Sequence, residues 1–269
     1  MKHLKSSLYD LHELFDRSVS VRHLAEPFIS FDAQRLATEV RAFMEAKNFD
    51  IVGVRYNGAV VGYVERATLK EGTLEQYRSP FDKRLILNEW SPILEALQLL
   101  AESSQVFVVA MGRVAGIITK GDLQKAPMRM WFFGVLSLLE MQFLRLIRAA
   151  YPQDSWKSLI SPSRIKKAQQ LLQDRQRRNE AIDCADCLQF ADKRTIVVKS
   201  DRLCHVLGCT SKGVGEDLLE ELEHLRDELA HAQDIITGRW PRLVELAKTA
   251  EQILAACEAL EPEPTGQQT

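Results

Sequence analysis

No stretch of the 269 residues reads as the roughly 18 consecutive apolar side chains that a bilayer-spanning helix needs. Met1-Lys2-His3-Leu4-Lys5 leads into a polar stretch, where a signal peptide would continue into an apolar core. The expectation is a cytoplasmic protein with no membrane partner. Cysteine is scarce and odd in number, five in all, which speaks for reduced thiols and against a disulfide framework. A surplus of one charge is also missing. The 35 Lys and Arg against 37 Asp and Glu leave a formal charge of −2, so no global basic field draws the chain onto nucleic acid. Affinity for RNA would have to be local, as in Arg164-Ile165-Lys166-Lys167 or Arg175-Gln176-Arg177-Arg178, clusters that serve equally well as a solvated helix face. A Rossmann fingerprint, a P-loop and a Ser-His-Asp order are absent too. Lys212-Gly213-Val214-Gly215 has no strand before it and no Gly-Lys-Ser/Thr after it, and reads as a loop.

What is present is the balance of a globular chain, 46% hydrophobic and 27% charged, with length enough for two domains that each bury a core. From Val21 the pattern runs short strand, amphipathic helix (Ala33 to Lys47), apolar strand (Ile51 to Tyr56), turn at Asn57-Gly58, and a second strand (Ala59 to Val64). The order recurs from Leu85. A helix enters at Ser91-Pro92, Val106 to Val109 form a strand, Met111-Gly112 a turn, and Val114 to Ile118 a further strand. Asn57-Gly58-Ala59-Val60-Val61-Gly62 lies over Met111-Gly112-Arg113-Val114-Ala115-Gly116, so the glycines that close each hairpin and end each strand recur together.

Gly116-Ile117-Ile118-Thr119-Lys120-Gly121-Asp122-Leu123 resembles the signature that closes a cystathionine-β-synthase (CBS) repeat, and two such repeats form the usual pair. The resemblance implies a small α/β disc over 16–127 with adenosine-type nucleotides in clefts between the repeats. Thr119 would then donate to a phosphate or ribose oxygen and Asp122 accept from ribose hydroxyls. The alternative is that Asp122 caps a helix beginning near Leu123. In the first repeat Glu65 stands in the place of Thr119 and Thr68 in that of Asp122, so that half lacks the pair.

Beyond Arg129 the alternation gives way to helix period: Phe132, Val135, Leu136, Leu139, Phe143, Leu146 and Ile147 are three or four apart. Pro152 ends this helix, Ser161-Pro162 starts another to about Arg178, and Asn179 to Phe190 reads as a third. A fourth carries the seam Leu218, Leu222, Leu225, Leu229, Ala232 and Ile236 and ends at Thr237-Gly238. Pro241 opens a fifth.

On the fourth helix, Arg226-Asp227-Glu228-Leu229-Ala230-His231 is an R-x-x-x-x-H element. It resembles the catalytic motif of the HEPN ribonucleases, and Leu138 to Ile147 followed by Trp156 looks like the opening of such domains. Asp227 stands where Asn is frequent. The resemblance implies metal-independent RNA cleavage in which His231 acts as base, Arg226 stabilises the charged phosphorane, Asp227 orients His231, and Glu140 supports them. Five residues at about 100° each place Arg226 and His231 about 140° apart on one helix, so the shared cleft of a homodimer suits them better. Cys184, Cys187, Cys204 with His205, and Cys209 make a zinc set on paper, against the commoner role of cysteine as a buried apolar side chain.

The expected architecture is α+β. A 1–15 helical lead-in precedes a CBS-repeat pair over 16–127, built of two β-α-β-β-α type repeats. An all-α HEPN-like bundle follows over 128–258, then a flexible tail over 259–269. The resemblances together imply a homodimeric, nucleotide-regulated RNA endonuclease, a defence or toxin component restrained by an antitoxin or regulatory protein. Adenine nucleotide (AMP, ADP or ATP) is its regulatory ligand, RNA its substrate, and no metal takes part. The alternative is a non-catalytic adenine-nucleotide sensor whose helical domain serves dimerisation, RNA binding or partner docking.

Overall fold

The computed structural model describes residues 6–260, so the tail expected over 259–269 lies, from 261 on, outside the described residues. The chain divides into two compact units. One holds Leu14–Met128, and the other the residues through Glu13 together with those from Arg129 on. Of the helical lead-in expected over 1–15, residues 1–5 lie outside the described residues, and the rest enters the helix α1 (Leu8–Ser18), which runs across the first division.

In the Leu14–Met128 unit, the short strand expected near Val21 is a 3-10 turn (Val21–His23), and the strands that follow are β1 (Glu26–Pro27) and β2 (Ser30–Asp32). The first repeat is β2, α2 (Ala37–Lys47), β3 (Ile51–Tyr56) and β4 (Ala59–Glu65). Its helix begins four residues later than the periodicity predicts, because Ala33–Leu36 form a turn. The second repeat is β5 (Ile86–Asn88), α3 (Ile93–Glu102), β6 (Gln105–Ala110) and β7 (Arg113–Thr119). Pro92, not Ser91, is the cap residue of α3, since its extended ψ of 144° keeps it outside the helix. In both repeats the first strand pairs parallel with the second and the second antiparallel with the third. Neither repeat closes on an α-helix of its own. Short 3-10 turns, Arg66–Thr68 and Lys120–Gln124, end them, which corrects the expected β-α-β-β-α order.

The duplication reaches backbone detail. Each hairpin carries a register shift at the same place, Val54/Arg55 and Val108/Val109, and each turn has two left-handed residues, Asn57 (φ 49°) with Gly58 (77°) and Met111 (50°) with Gly112 (76°). The recurring strand glycines have a packing reason. A Cβ on Gly62 would lie 2.4 Å from the Ser79 carbonyl oxygen, and one on Gly116 would press on Ala25 and Val108 at 3.2 Å. Both leave room for a further extended segment: Tyr63 bridges to Ser79, and β1 pairs antiparallel with β7. The sheets are therefore β2-β3-β4 and β1-β7-β6-β5. Phe28, Phe107 and Val114 form a core that both repeats share through Ile51, Tyr63 and Phe81.

Asn suits a left-handed turn position and Met does not, and Met111 is also 98% exposed. Met111→Asn is therefore expected to stabilise this unit by about 0.5–1 kcal/mol. The check is the denaturation midpoint at unchanged m-value, and the exchange Asn57→Met should move it the other way.

The other unit is helical: α4 (Ala126–Ala150), α5 (Pro162–Gln176), α6 (Phe190–Lys199), α7 (Asp201–Cys204), α8 (Lys212–Ala230) and α9 (Trp240–Ala259). By length and composition alone α4 could cross a membrane, with a mean hydropathy of 1.5 over its best 18 residues, half of that window being buried here. Its buried face, Trp131, Val135, Leu139, Phe143 and Ile147, packs into the bundle, and α1 joins it where the His12 ring meets Trp131 edge-on at 4.7 Å. The third helix expected over Asn179 to Phe190 is absent. Asn179 is left-handed (φ 61°), and the Asp183 carboxylate accepts from the Ala185 and Asp186 N–H groups, holding a turn. Helix α8 starts earlier than expected, at Lys212, since Ser211 Oγ accepts from Val214 N–H, and it ends at Ala230. Ala232 (φ 53°) breaks the seam, and Ile236 is buried from a loop.

Candidate functional sites

Thr119 ends β7, and Asp122 lies three residues on, inside the 3-10 turn. Asp122 Oδ2 accepts from both the Thr119 N–H (2.7 Å) and the Thr119 hydroxyl (2.9 Å). Asp122 Oδ1 is 2.9 Å from Lys125 Nζ, which also meets Glu26 Oε1 at 2.5 Å and the Leu24 carbonyl. Burial works against a charged Lys125, but the hydrogen bonds to Glu26 and Asp122 outweigh it and raise its pKa. Asp122 thus caps, as one of the two sequence readings has it, though from the third turn position and with no α-helix beginning at Leu123. The Thr119 hydroxyl proton points at Asp122, so a phosphate must draw it away or rely on other donors.

These two residues stand at the wall of a cavity of about 690 Å³ between the repeats. Its remaining walls come from Glu26 to Ile29, from Asn48 to Ile51 where α2 gives way to β3, and from Ser104-Gln105 where α3 gives way to β6. Sequence reading missed these walls. A signal existed, because Asp50 and Ser104 occupy equivalent places in the two repeats, as do Ile51 and Gln105. The matching cleft on the other side is smaller, about 400 Å³, and is lined by Glu65, Arg66, Arg41 and Glu45. There Thr68 donates to the Glu65 carbonyl at 2.8 Å, Arg66 is held by Asp50 at 2.6 Å and Arg41 by Glu45 at 3.0 Å. A carboxylate and two paired arginines replace the Thr119–Asp122 arrangement.

The second group of predicted residues lies in the helical unit. Glu140 on α4 accepts from Lys193 Nζ on α6 (2.8 Å) and from Arg226 Nη1 on α8 (3.2 Å). Arg226 also grips Asp227 at 2.7 Å and lies 5.2 Å over the Phe190 ring. Desolvation opposes its charge, yet the bonds to Asp227 and Glu140 prevail and raise its pKa. Glu140, Arg226 and Asp227 are therefore together, as the motif implies. His231 is not with them. It follows the last residue of α8 at φ −99°, ψ 13°, and its exposed ring makes no hydrogen bond or ion pair with any described residue. The expected side-chain pairing of Asp227 with His231 is corrected: the neighbouring guanidinium takes the carboxylate, although the His231 N–H still closes the last helical turn on the Asp227 carbonyl at 3.0 Å.

Cys184 and Cys187 are buried, and burial raises both thiols, as it does Cys209. Buried, apolar surroundings of this kind are those of core thiols. Among the described residues no group of three or more His, Cys, Asp or Glu is placed to hold a metal ion.

No family model matches the chain. A curated zinc metalloprotease of Methanocaldococcus jannaschii is 36% identical over 72 residues, which are 26% of this chain and 20% of that protein. The chain thus spans about a fifth of the length of that relative. Similar solved structures include CBSX2 in complex with AMP, 16% identical over 41% of this chain and 97% of its own at a TM-score of 0.36. The CBS domain of a bacterial CNNM/CorC family Mg2+ transporter in complex with ATP is 18% identical over 41% and 88%, with a TM-score of 0.35. A CBS domain-containing protein of unknown function from Bacillus anthracis is 14% identical over 42% and 94%, with a TM-score of 0.37.

Proposed function

We propose that residues 14–128 form a CBS-type pair that binds one adenine nucleotide in the larger cleft, and that the protein is a nucleotide-responsive regulator. The observation that carries this reading is the asymmetry of the two clefts. The repeats agree in hairpin, bulge and glycine, yet only one cleft has both the volume and the Thr119–Asp122 turn. Ile51 and Ile117 offer apolar surface to a base, Ser104 offers a polar edge, and the turn opened by Lys120 and Gly121 faces the phosphate end. In calorimetric titration of the full chain, AMP, ADP or ATP should bind with a stoichiometry near one. A stoichiometry near two, or no heat with any of the three, would refute the reading.

A second reading has the helical unit cleave RNA as a homodimer. The exposed His231 ring, without a partner among the described residues, supports it. His231 would take the ribose 2′-hydroxyl proton as that oxygen attacks phosphorus and the 5′ oxygen leaves. Arg226 would have to exchange one of its carboxylates for the phosphorane. The expected outcome is EDTA-resistant cleavage of mixed RNA that His231→Ala reduces by about 100-fold or more. Intact RNA after incubation with wild type, with or without nucleotide, leaves the regulator reading alone.

A further inference from the structure

A buried polar side chain at the wall of the larger cleft is only half satisfied. Gln105 opens β6, is 6% exposed and lines the cleft. Its Oε1 accepts the Ser104 hydroxyl, while its Nε2 makes no hydrogen bond with any described residue. Nor is that nitrogen sealed off, since it keeps accessible surface.

Strand register sets the direction in which the amide points. Gln105 stands opposite Thr119 in the antiparallel β6–β7 pair, and Phe107 opposite Ile117, so all four side chains share one face of the sheet. Thr119 and Ile117 line the cleft, and Phe107 packs at 5.4 Å on Phe28, which lines it as well. That face is therefore the one turned to the cleft. Directly opposite residues have Cβ atoms about 5 Å apart, so the Gln105 amide and the Thr119 turn serve the same end of the space.

A donor is what that end lacks. The Thr119 hydroxyl is spent on Asp122. Two cations beside the wall are committed too, Lys125 to Glu26 and Asp122, and Arg66 to Asp50. Buried amide nitrogens are almost always paired, by protein, water or ligand, and an anionic oxygen is a stronger acceptor than water. We infer that Gln105 Nε2 donates to the phosphate of the bound nucleotide, beside Thr119. The inference rests on the nucleotide reading of this cleft and adds to it a residue outside the Thr119–Asp122 turn. A neutral donor suits the position, because an ammonium there would be drawn to Glu26 and Asp122 on the same wall.

The test compares AMP with adenosine, which lacks only the phosphate, by calorimetry on the full chain. Gln105→Met keeps a flexible side chain of similar length without the amide, and is expected to weaken AMP about ten-fold and adenosine less than about two-fold. Gln105→Glu keeps the acceptor for Ser104 but sets a carboxylate against the phosphate, with an expected loss of about 100-fold for AMP and again little for adenosine. In amide NMR spectra of the wild type, the Gln105 side-chain protons, assigned by their loss in whichever variant folds, should move downfield with AMP and stay in place with adenosine. Equal weakening of both ligands, or an amide signal that adenosine moves as far as AMP does, would put the amide on the base or ribose and overturn the assignment. So would AMP affinity that Gln105→Met leaves unchanged, although the nucleotide reading would then stand. Only a wild type that binds no AMP brings down that reading and this inference together.

Discussion

Glu140→Ala is expected to cost the helical unit about 3–5 kcal/mol, among the largest losses available to one substitution in this chain. Lys193 is only 7% exposed, and Glu140 is the carboxylate that its ammonium meets. Removal strands a buried charge, which must either stay unpaired or give up its proton. Arg226 suffers less, because it keeps Asp227 and the face of Phe190. Arg226→Gln should therefore cost about 1–2 kcal/mol, since Glu140 then still neutralises Lys193. The double change Glu140→Leu with Lys193→Met should return most of the loss, as well-packed apolar pairs often equal a buried ion pair. Urea denaturation of the three variants measures all of this. A loss under about 1 kcal/mol for Glu140→Ala would show that water reaches Lys193 and that the pair behaves as a surface one.

The same contacts mark how far the sequence could be read. Asn57-Gly58 announced the first hairpin because a left-handed turn favours residues of that kind, and Met111-Gly112 announced the second through its glycine and its matching place in the repeat, despite the methionine. The repeat of Gly62 at Gly116 was legible too, although its reason, the close passage of Ser79 and of β1, is tertiary. Asn179 to Phe190 misled because Ile182 and Leu188 have helix-like spacing, while Asp183 diverts the backbone through its own side chain. Gly213 and Gly215 disguised the start of α8, where the informative residue was Ser211 as cap. The motif Arg226 to His231 showed which residues are near in sequence, but not that Glu140 and Asp227 would hold the arginine or that the helix would end short of the histidine. The walls of the larger cleft came from segments with no motif at all, which only the pairing of the two repeats brings together.

Thr119 and Asp122 set the second large effect, and the arithmetic of their lone pairs decides its form. A carboxylate has about four acceptor positions. In Asp122 three are taken, by the Thr119 N–H, the Thr119 hydroxyl and Lys125, which leaves about one for a ribose hydroxyl. Asp122→Ala should remove the ligand contact and the turn together, lowering nucleotide affinity by about 100-fold and the stability of the unit by about 1–3 kcal/mol. Thr119→Val separates the two roles. It keeps the N–H bond to Asp122 and the β-branched shape of a strand end, but loses the hydroxyl, so affinity should fall about ten-fold with little change in stability. Thr68→Ala, next to the other cleft, should leave affinity unchanged, because that hydroxyl is spent on the Glu65 carbonyl. Ligand-dependent stabilisation provides the readout: nucleotide at 100 times its Kd stabilises the wild-type unit by about 2.7 kcal/mol, and at the same concentration the gain should nearly vanish in Asp122→Ala. If Thr68→Ala and Thr119→Val weakened binding equally, the nucleotide would occupy both clefts alike, and the asymmetry between them would carry no functional meaning.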